Sequence, residues 1–329
     1  MIISRTPVRI SFLGGGTDYP EYFSRNGGVT LGATIDKFSH ITVSTLTDLF
    51  DYKLRVSYSK TELVKDVSEI EHPSVRECLR FLGLSGGLEI HYVGDLPART
   101  GLGSSSSFTV GLLHALHAFK GEMVGAKQLA SEAVYIEREM IRERVGLQDQ
   151  YTCAFGGILR LQYRGDVQVD VTPVIIPRPR LQSLQERLML FYTGIRRHAH
   201  QVLEEQIEKT KSGEISGNLS ALGKLVDQSV EILCNSHHLS SFGELLHNGW
   251  VLKRELSGAI SNPRIDILYE RARRAGAMGG KLLGAGGGGF LLLFAEPDCQ
   301  TDVRRALAEL REVSFSFCSE GSRIVFYSP

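Results

Sequence analysis

Residues 96–116 read LPARTGLGSSSSFTVGLLHAL, with two glycines and four consecutive serines between a proline turn and an apolar run. The strand-like LEIHYV of residues 88–93 precedes them, and Phe108, Leu112, Ala115, Leu116 and Phe119 follow at helical spacing. A flexible Gly/Ser linker is not normally held between a strand and an amphipathic helix, so the segment reads as a strand–loop–helix cradle. Its glycines let the backbone approach a ligand, and the first N–H groups of the following helix are unpaired and positive, which suits a phosphate. The serines can cap the helix or hold a cation against phosphate oxygens; capping alone is the simpler role. GxxxxGK[ST] is absent and no GxGxxG opens a dinucleotide fold here, so the loop belongs to another nucleotide-binding design.

Outward from this loop, Val8, Ile10 and Phe12 alternate with Arg9 and Ser11, which predicts a strand with Arg9 and Ser11 on one face. A helix is predicted over 126–144, and a hairpin joins 158–162 to 167–171 around Arg164-Gly165-Asp166. PVIIPRPR at 173–180 continues neither pattern and marks a domain boundary, giving domains of 1–176 and 177–329. Helices follow at about 198–211, 219–234 and 240–259, and KLLGAGGGGFLLLF at 281–294 reads as a glycine turn and a buried strand. No internal repeat interrupts this order.

The 329 residues carry 37 Lys and Arg against 37 Asp and Glu, which excludes a global electrostatic signature for nucleic acid or membrane. Cys78, Cys153, Cys234, Cys299 and Cys318 are scattered without metal-ligand spacing, as expected of reduced thiols in a cytoplasmic protein. Neither a signal-peptide segment at the N-terminus nor a run long enough to span a membrane is expected.

Three carboxylates carry the chemical argument. Glu137, on a helix, has Ala133, Val134, Met140 and Ile141 as its neighbours three and four positions away, an apolar face that penalises a charge unless a cation meets it. It is a candidate Mg²⁺ ligand, with a salt bridge to a distant arginine as the bland alternative; Glu139, with Tyr135, Ile136, Arg142 and Glu143 in the corresponding positions, reads as a solvated charge. Asp149, in GLQDQYTCAFGG, is either a helix N-cap or, in a phosphoryl-transfer site, the group that receives or orients the acceptor hydroxyl's proton. Thr17 and Asp18, after the glycines of SFLGGGTDYP, suit polyol hydroxyls, and an Asx turn fits equally.

RTPVRISFLGGGTDYP, LPARTGLGSSSSF and GGKLLGAGGGGF, in this order, closely resemble the three motifs of the GHMP kinases, from Arg5 into the last apolar strand. The resemblance implies an α+β, two-domain fold, a ribosomal protein S5 domain 2-like N-terminal domain and a ferredoxin-like C-terminal domain, with the site between them. It implies ATP and Mg²⁺ as cofactors. Pro97, Gly101, Leu102, Gly103, Ser104, Ser105, Ser106 and Ser107 would then hold ATP, Ser105 and Glu137 the metal. Asp149 would be the catalytic base with Arg9 supporting acceptor and developing charge. Gly15, Gly16, Thr17, Asp18, Gly286 and Gly287 would bind the acceptor, and Lys281 would add positive charge or serve structure.

Within the superfamily, GGGTDYP with GLQDQYTCAFGG looks most like the D-glycero-D-manno-heptose 7-phosphate kinases. That resemblance implies phosphorylation of an anomeric oxygen on the route to nucleotide-activated heptose for surface polysaccharide. Arg196 and Arg197, beside His198, would meet the distal phosphate, with a solvated helix start as the alternative. The expected partners are ATP and a sugar phosphate, not nucleic acid or membrane, with a homodimer left open. A free-sugar kinase of the fucokinase or galactokinase type, a diphosphate decarboxylase and a non-catalytic sugar sensor are the competing expectations.

Overall fold

The computed structural model of the chain describes residues 1–98, 100–195, 199–235 and 237–328. Its first part runs β1 (Ile2–Leu13), α1 (Pro20–Asn26), β2 (Gly28–Thr45), β3 (Leu54–Ser57), β4 (Thr61–Val64), α2 (Pro73–Phe81) and β5 (Leu88–Gly94). Then come α3 (Ser104–Phe119), α4 (Ala126–Tyr135), a π-helical turn (Ile136–Met140), α5 (Gln148–Phe155), β6 (Ile158–Arg164) and β7 (Gln168–Pro173). The second part runs α6 (Arg178–Arg187), β8 (Leu188–Tyr192), α7 (Ala199–Ser212), α8 (Ser216–Cys234), α9 (Ser240–Arg254) and α10 (Pro263–Arg274). It closes with β9 (Ala277–Leu282), β10 (Phe290–Ala295), α11 (Gln300–Ala306), β11 (Arg311–Glu312) and β12 (Arg323–Tyr327).

β2 organises the first sheet. Its 18 residues pair with β1 along one edge, and on the other with β6 through residues 28–33 and with β5 through residues 39–45. The order β12-β1-β2-β5-β3-β4, with β6 and β7 branching from β2, gives eight strands. One face packs on α2 to α5 through Ile41, Val43, Val110, Leu113 and Leu129. The other face packs on the second domain, where Val8, Ile10 and Phe12 join Phe242, Leu246 and Phe290 in one apolar cluster. β1 is therefore buried on both sides, and the alternation in its sequence separates a domain interface from an active-site face.

The second domain has an antiparallel sheet in the order β11-β8-β10-β9. One strand, a helical crossing, a hairpin, a helix and a strand make the ferredoxin-like arrangement. Its own core collects Trp250, Tyr269, Leu291 and Leu293.

The expected boundary needs one amendment, because β12 leaves the second domain and pairs antiparallel with β1, Ile2 opposite Tyr327. The first sheet is completed by the end of the segment assigned to the second domain, a pairing that no local pattern announces. The helix predicted over 126–144 also differs: it ends at Tyr135, and the wider turn of 136–140 follows, closed by Ile141 N–H donating to the Ile136 carbonyl at 2.9 Å. Such π-turns insert an extra residue into the helical repeat and re-aim the side chains that follow.

Candidate active site

The phosphate-loop segment ends on α3, a helix buried along nearly its whole length. Gly103 precedes it in the left-handed conformation at φ 70°, and no side chain caps it. Positive backbone N–H groups at an uncapped helix start form an anion site. Leu102 anchors the loop, its side chain in the interdomain cluster and its carbonyl accepting the Arg9 N–H at 2.9 Å. Pro97 is exposed, its carbonyl accepting the Thr100 hydroxyl at 2.9 Å.

Arg9 and Ser11, on the face of β1 opposite Val8 and Ile10, meet consecutive residues of α5. Arg9 donates Nε and Nη2 to the two carboxylate oxygens of Asp149 at 2.6 and 2.7 Å, and Nη1 to the Gly101 carbonyl at 2.7 Å. Burial works against the guanidinium's charge, but Asp149 outweighs it and raises the Arg9 pKa. The Arg9 side chain is 5% exposed and that of Asp149 28%, so the pair presents its carboxylate toward solvent. Ser11 donates to Gln148 Oε1 at 2.9 Å.

Glu137, re-aimed by the π-turn, is 1% exposed. Its Oε2 accepts the Ser106 hydroxyl at 2.9 Å and the Gln150 amide at 2.5 Å, while among the described residues Oε1 has no hydrogen-bond partner. Burial raises its pKa to about 7, with the nearby Thr109, Gln150 and Ser106 opposing the rise. A buried carboxylate oxygen without a donor, beside a serine hydroxyl, fits Mg²⁺, which takes few protein ligands and completes its shell with water and substrate phosphates. Among the described residues, no group of three or more His, Cys, Asp or Glu is placed to hold a metal ion. The serine at Glu137 is Ser106 and not the predicted Ser105. The helix begins at Ser104, and its phase turns Ser105 outward, exposed, while Ser106 and Ser107 turn in; the Ser107 hydroxyl goes to the Thr6 carbonyl at 3.1 Å.

The predicted acceptor loop, residues 14–18, is bound internally. The Thr17 hydroxyl donates to the Gly14 carbonyl and receives the Val29 N–H, which fixes the turn and leaves Thr17 1% exposed. Asp18 accepts the Gly16 N–H at 2.9 Å and the Gln148 N–H at 3.3 Å, joining the loop to the start of α5. Burial raises the Asp18 pKa, and Lys253 opposes it. Two buried lysines of the second domain hold this loop and the strand end before it: Lys253 donates to the Gly15 carbonyl at 3.3 Å, and Lys281 to the Phe12 carbonyl of β1 at 3.1 Å. The structure thus gives Lys281 a place beside the acceptor loop. Nothing in the sequence pattern marks Lys253 or Gln148 for these contacts: a lysine within a helix and a glutamine before an aspartate carry no sign of this geometry.

The second glycine loop meets the first. A Cβ on Gly101 would lie 2.3 Å from the Leu283 carbonyl oxygen, and one on Gly289 would lie 2.2 Å from that of Thr100. Gly286 is pressed against Ile260, and Gly287 donates to the Ile260 carbonyl at 2.9 Å. Arg196, Arg197 and His198 lie outside the described residues. Among the described residues, no helix is long and apolar enough to cross a membrane.

Comparison with known proteins gives two family matches, GHMP kinases N terminal domain over residues 62–157 and GHMP kinases C terminal over residues 229–313. The chain is 29% identical to D-glycero-alpha-D-manno-heptose 7-phosphate kinase of Campylobacter jejuni, covering 97% of each chain. A solved D-glycero-D-manno-heptose 1-phosphate kinase from Bacteroides thetaiotaomicron is similar over 100% of both chains, with 25% identity and a TM-score of 0.73. Lactococcus lactis galactokinase, solved with galactose, shares the fold at a TM-score of 0.77 and 18% identity over 98% of this chain and 94% of its own.

Proposed function

The chain belongs to the GHMP kinase superfamily, and from that premise we propose that it transfers the γ-phosphoryl group of ATP to the anomeric hydroxyl of D-glycero-D-manno-heptose 7-phosphate. The observation that carries phosphoryl transfer is the Arg9–Asp149 pair beside an uncapped helix start. The choice of heptose phosphate is supported by the full-length similarity to the Campylobacter jejuni enzyme.

In this reading the backbone N–H groups at the start of α3 receive the nucleotide phosphates, and Gly103 keeps the approach open. Asp149, its two oxygens fixed by Arg9, faces the acceptor hydroxyl, orients it and receives its proton as the new oxygen–phosphorus bond forms and the bond from the γ-phosphorus to the departing ADP breaks. Arg9 stays with Asp149 and Gly101, so its charge remains beside the reacting groups. Glu137 and Ser106 would hold Mg²⁺, which supplies positive charge against the charge that develops on the phosphoryl oxygens. Gln150 fixes the Glu137 carboxylate. The product, heptose 1,7-bisphosphate, would feed nucleotide-activated heptose for surface polysaccharide, and the site would work in the cytoplasm.

Phosphorus NMR of purified protein with ATP, Mg²⁺ and a panel of hexoses, heptoses and their phosphates tests this. A new anomeric phosphate on heptose 7-phosphate is expected. Turnover of free fucose, free galactose or heptose 1-phosphate in its place would move the assignment to another acceptor.

A further inference from the structure

A cavity of about 250 Å³ lies where the two domains meet, and its lining includes neither Arg9, Asp149 nor Glu137. The turn from α1 into β2, with residues 160 and 162 of β6, forms one wall, and α8 forms the other through residues 219–227. Arg160 reaches between the walls: Nε and Nη2 donate to Asp227 Oδ1 at 3.0 and 2.9 Å, and Nη1 to Gln162 Oε1 at 3.2 Å. A guanidinium has five N–H groups, so these three bonds leave two for a ligand. Lys224 adds an exposed ammonium from α8, and the lining carries two cations against one carboxylate. Asn26, Gln162 and Ser220 add amide and hydroxyl groups to the same walls. Planar guanidinium beside ammonium suits the oxygens of a phosphate, and the neutral polar groups suit hydroxyls.

The helix that walls this cavity also supports the acceptor loop. A Cβ on Gly14 would lie 2.8 Å from Val226 Cγ2, and one on Gly16 would lie 3.1 Å from Leu219 Cδ2, both on α8. Thr17, whose hydroxyl fixes the loop's turn, lines the cavity from the loop's side. A ligand that ties α8 to β6 therefore holds the surface on which the acceptor loop rests. We propose that this cavity is a second binding site, for a small hydroxylated phosphate ester, whose occupant acts as an effector by steadying the acceptor loop through α8. The phosphate meets Lys224 and the remaining N–H groups of Arg160, and the hydroxyls meet Asn26, Gln162 and Ser220. No bond of the ligand changes on binding. The site goes beyond the proposed reaction, and only its effect on KM rests on that reading.

The test is calorimetric titration of the whole chain with glucose 1-phosphate and glucose 6-phosphate as probes. At least one should bind with a Kd below about 1 mM, and glucose and inorganic phosphate should each bind at least about tenfold more weakly. Lys224 is exposed, so Lys224→Glu should fold normally and weaken probe binding at least about tenfold, as expected when a charged partner is lost. Lys224→Arg, which keeps the charge, should hold the affinity within about threefold. In steady-state assays with the acceptor that phosphorus NMR identifies, the probe should lower the acceptor's KM at least about fivefold at constant kcat. Lys224→Glu should lose that response while its KM and kcat without probe stay within about twofold of wild type.

Failure of both probes to bind, or equal binding of glucose or inorganic phosphate, would overturn the assignment of a site built for the ester. So would undiminished binding to Lys224→Glu, which puts the probe elsewhere on the chain. Binding with an unaltered KM would remove the effector role. The titration needs no turnover, so a failure to phosphorylate heptose 7-phosphate would sink the proposed reaction and leave the binding result to stand or fall by itself.

Discussion

The two glycine-rich loops, 100–103 with its serine helix and 283–289, look alike in sequence and do different work. In the first, Gly103 sits where a Cβ would come within 3.0 Å of Arg9 Cγ and 3.2 Å of an Asp149 oxygen, so its missing side chain leaves the Arg9–Asp149 pair undisturbed. In the second, Gly286, Gly288 and Gly289 are pressed against the backbone of Ile260, Ile195 and Thr100 at 2.7 Å or less. Gly103 is small to leave room beside Arg9 and Asp149, whereas Gly101 and the glycines of the second loop are small because segments of backbone cross there. Glycine content alone reports close approach without saying whether a ligand or the chain itself approaches.

The chemical half of that contrast is tested hardest by Asp149→Asn. It should keep ATP binding and lose about two to four orders of magnitude in kcat, the usual contribution of a proton-transfer group. Near-normal turnover in steady-state assays would show that positioning alone suffices and would remove the distinction.

Glu137→Gln comes next, with Mg²⁺·ATP binding weakened about ten- to a hundredfold, since an interaction with a charged group is worth ~1.5–3 kcal/mol. The same change should stabilise the fold at high pH. Glu137 has a folded pKa of about 7, above its ordinary 4.5, so its favourable contribution is complete below pH 4.5 and lost as pH rises through 7. Glutamine does not titrate, so the melting temperature of the variant relative to wild type should climb between pH 5 and 8. A flat difference would count against a buried carboxylate retained for its ligand.

Paired alanines probe the loops directly. Gly289→Ala, at φ 104° and against the Thr100 carbonyl, should lower unfolding stability by about 1–3 kcal/mol in urea melts. Gly103→Ala should cost activity first, because its nearest neighbours are the far part of Arg9 and the Asp149 carboxylate. If both variants lose stability and kcat in the same proportion, the two loops are one packing unit.

His117→Gln should disturb the site least. At the far end of α3, His117 is gripped by Glu132 and Glu122, each at 2.7 Å, and these raise its pKa above 6.5. Its stabilisation is therefore complete below pH 6.5 and lost as pH rises through the raised folded value. The variant should cost roughly 1–3 kcal/mol at pH 6 and progressively less in alkaline melts, with little change in kcat.

Much of the site is visible along the chain because it depends on local periodicity. The alternation around Arg9 separates the residues that meet α5 from those that face the second domain, and the apolar neighbours of Glu137 mark it as buried, unlike Glu139. What is not visible depends on phase or on distant pairing. Four identical serines give no clue to where α3 begins, and that single position decides that Ser106 and not Ser105 touches Glu137. The lysines at 253 and 281 are separated from the glycine loop at 14–18 by more than two hundred residues, and only the docking of the second domain brings one ammonium to the Gly15 carbonyl and the other to that of Phe12.

The return of β12 to the edge of β1 also bears on how the molecule is made. The Ile2–Tyr327 pairing means that a nascent chain extruded only as far as β11 still presents the β1 edge unpaired. Non-local pairing of this kind slows folding, and an open edge invites association with other chains. Arg9, bound to Asp149, lies farther along the same strand. Completion of the sheet that carries this pair is therefore tied to a late closing event, and a fragment ending at residue 176 should show a greater tendency to aggregate than the whole chain.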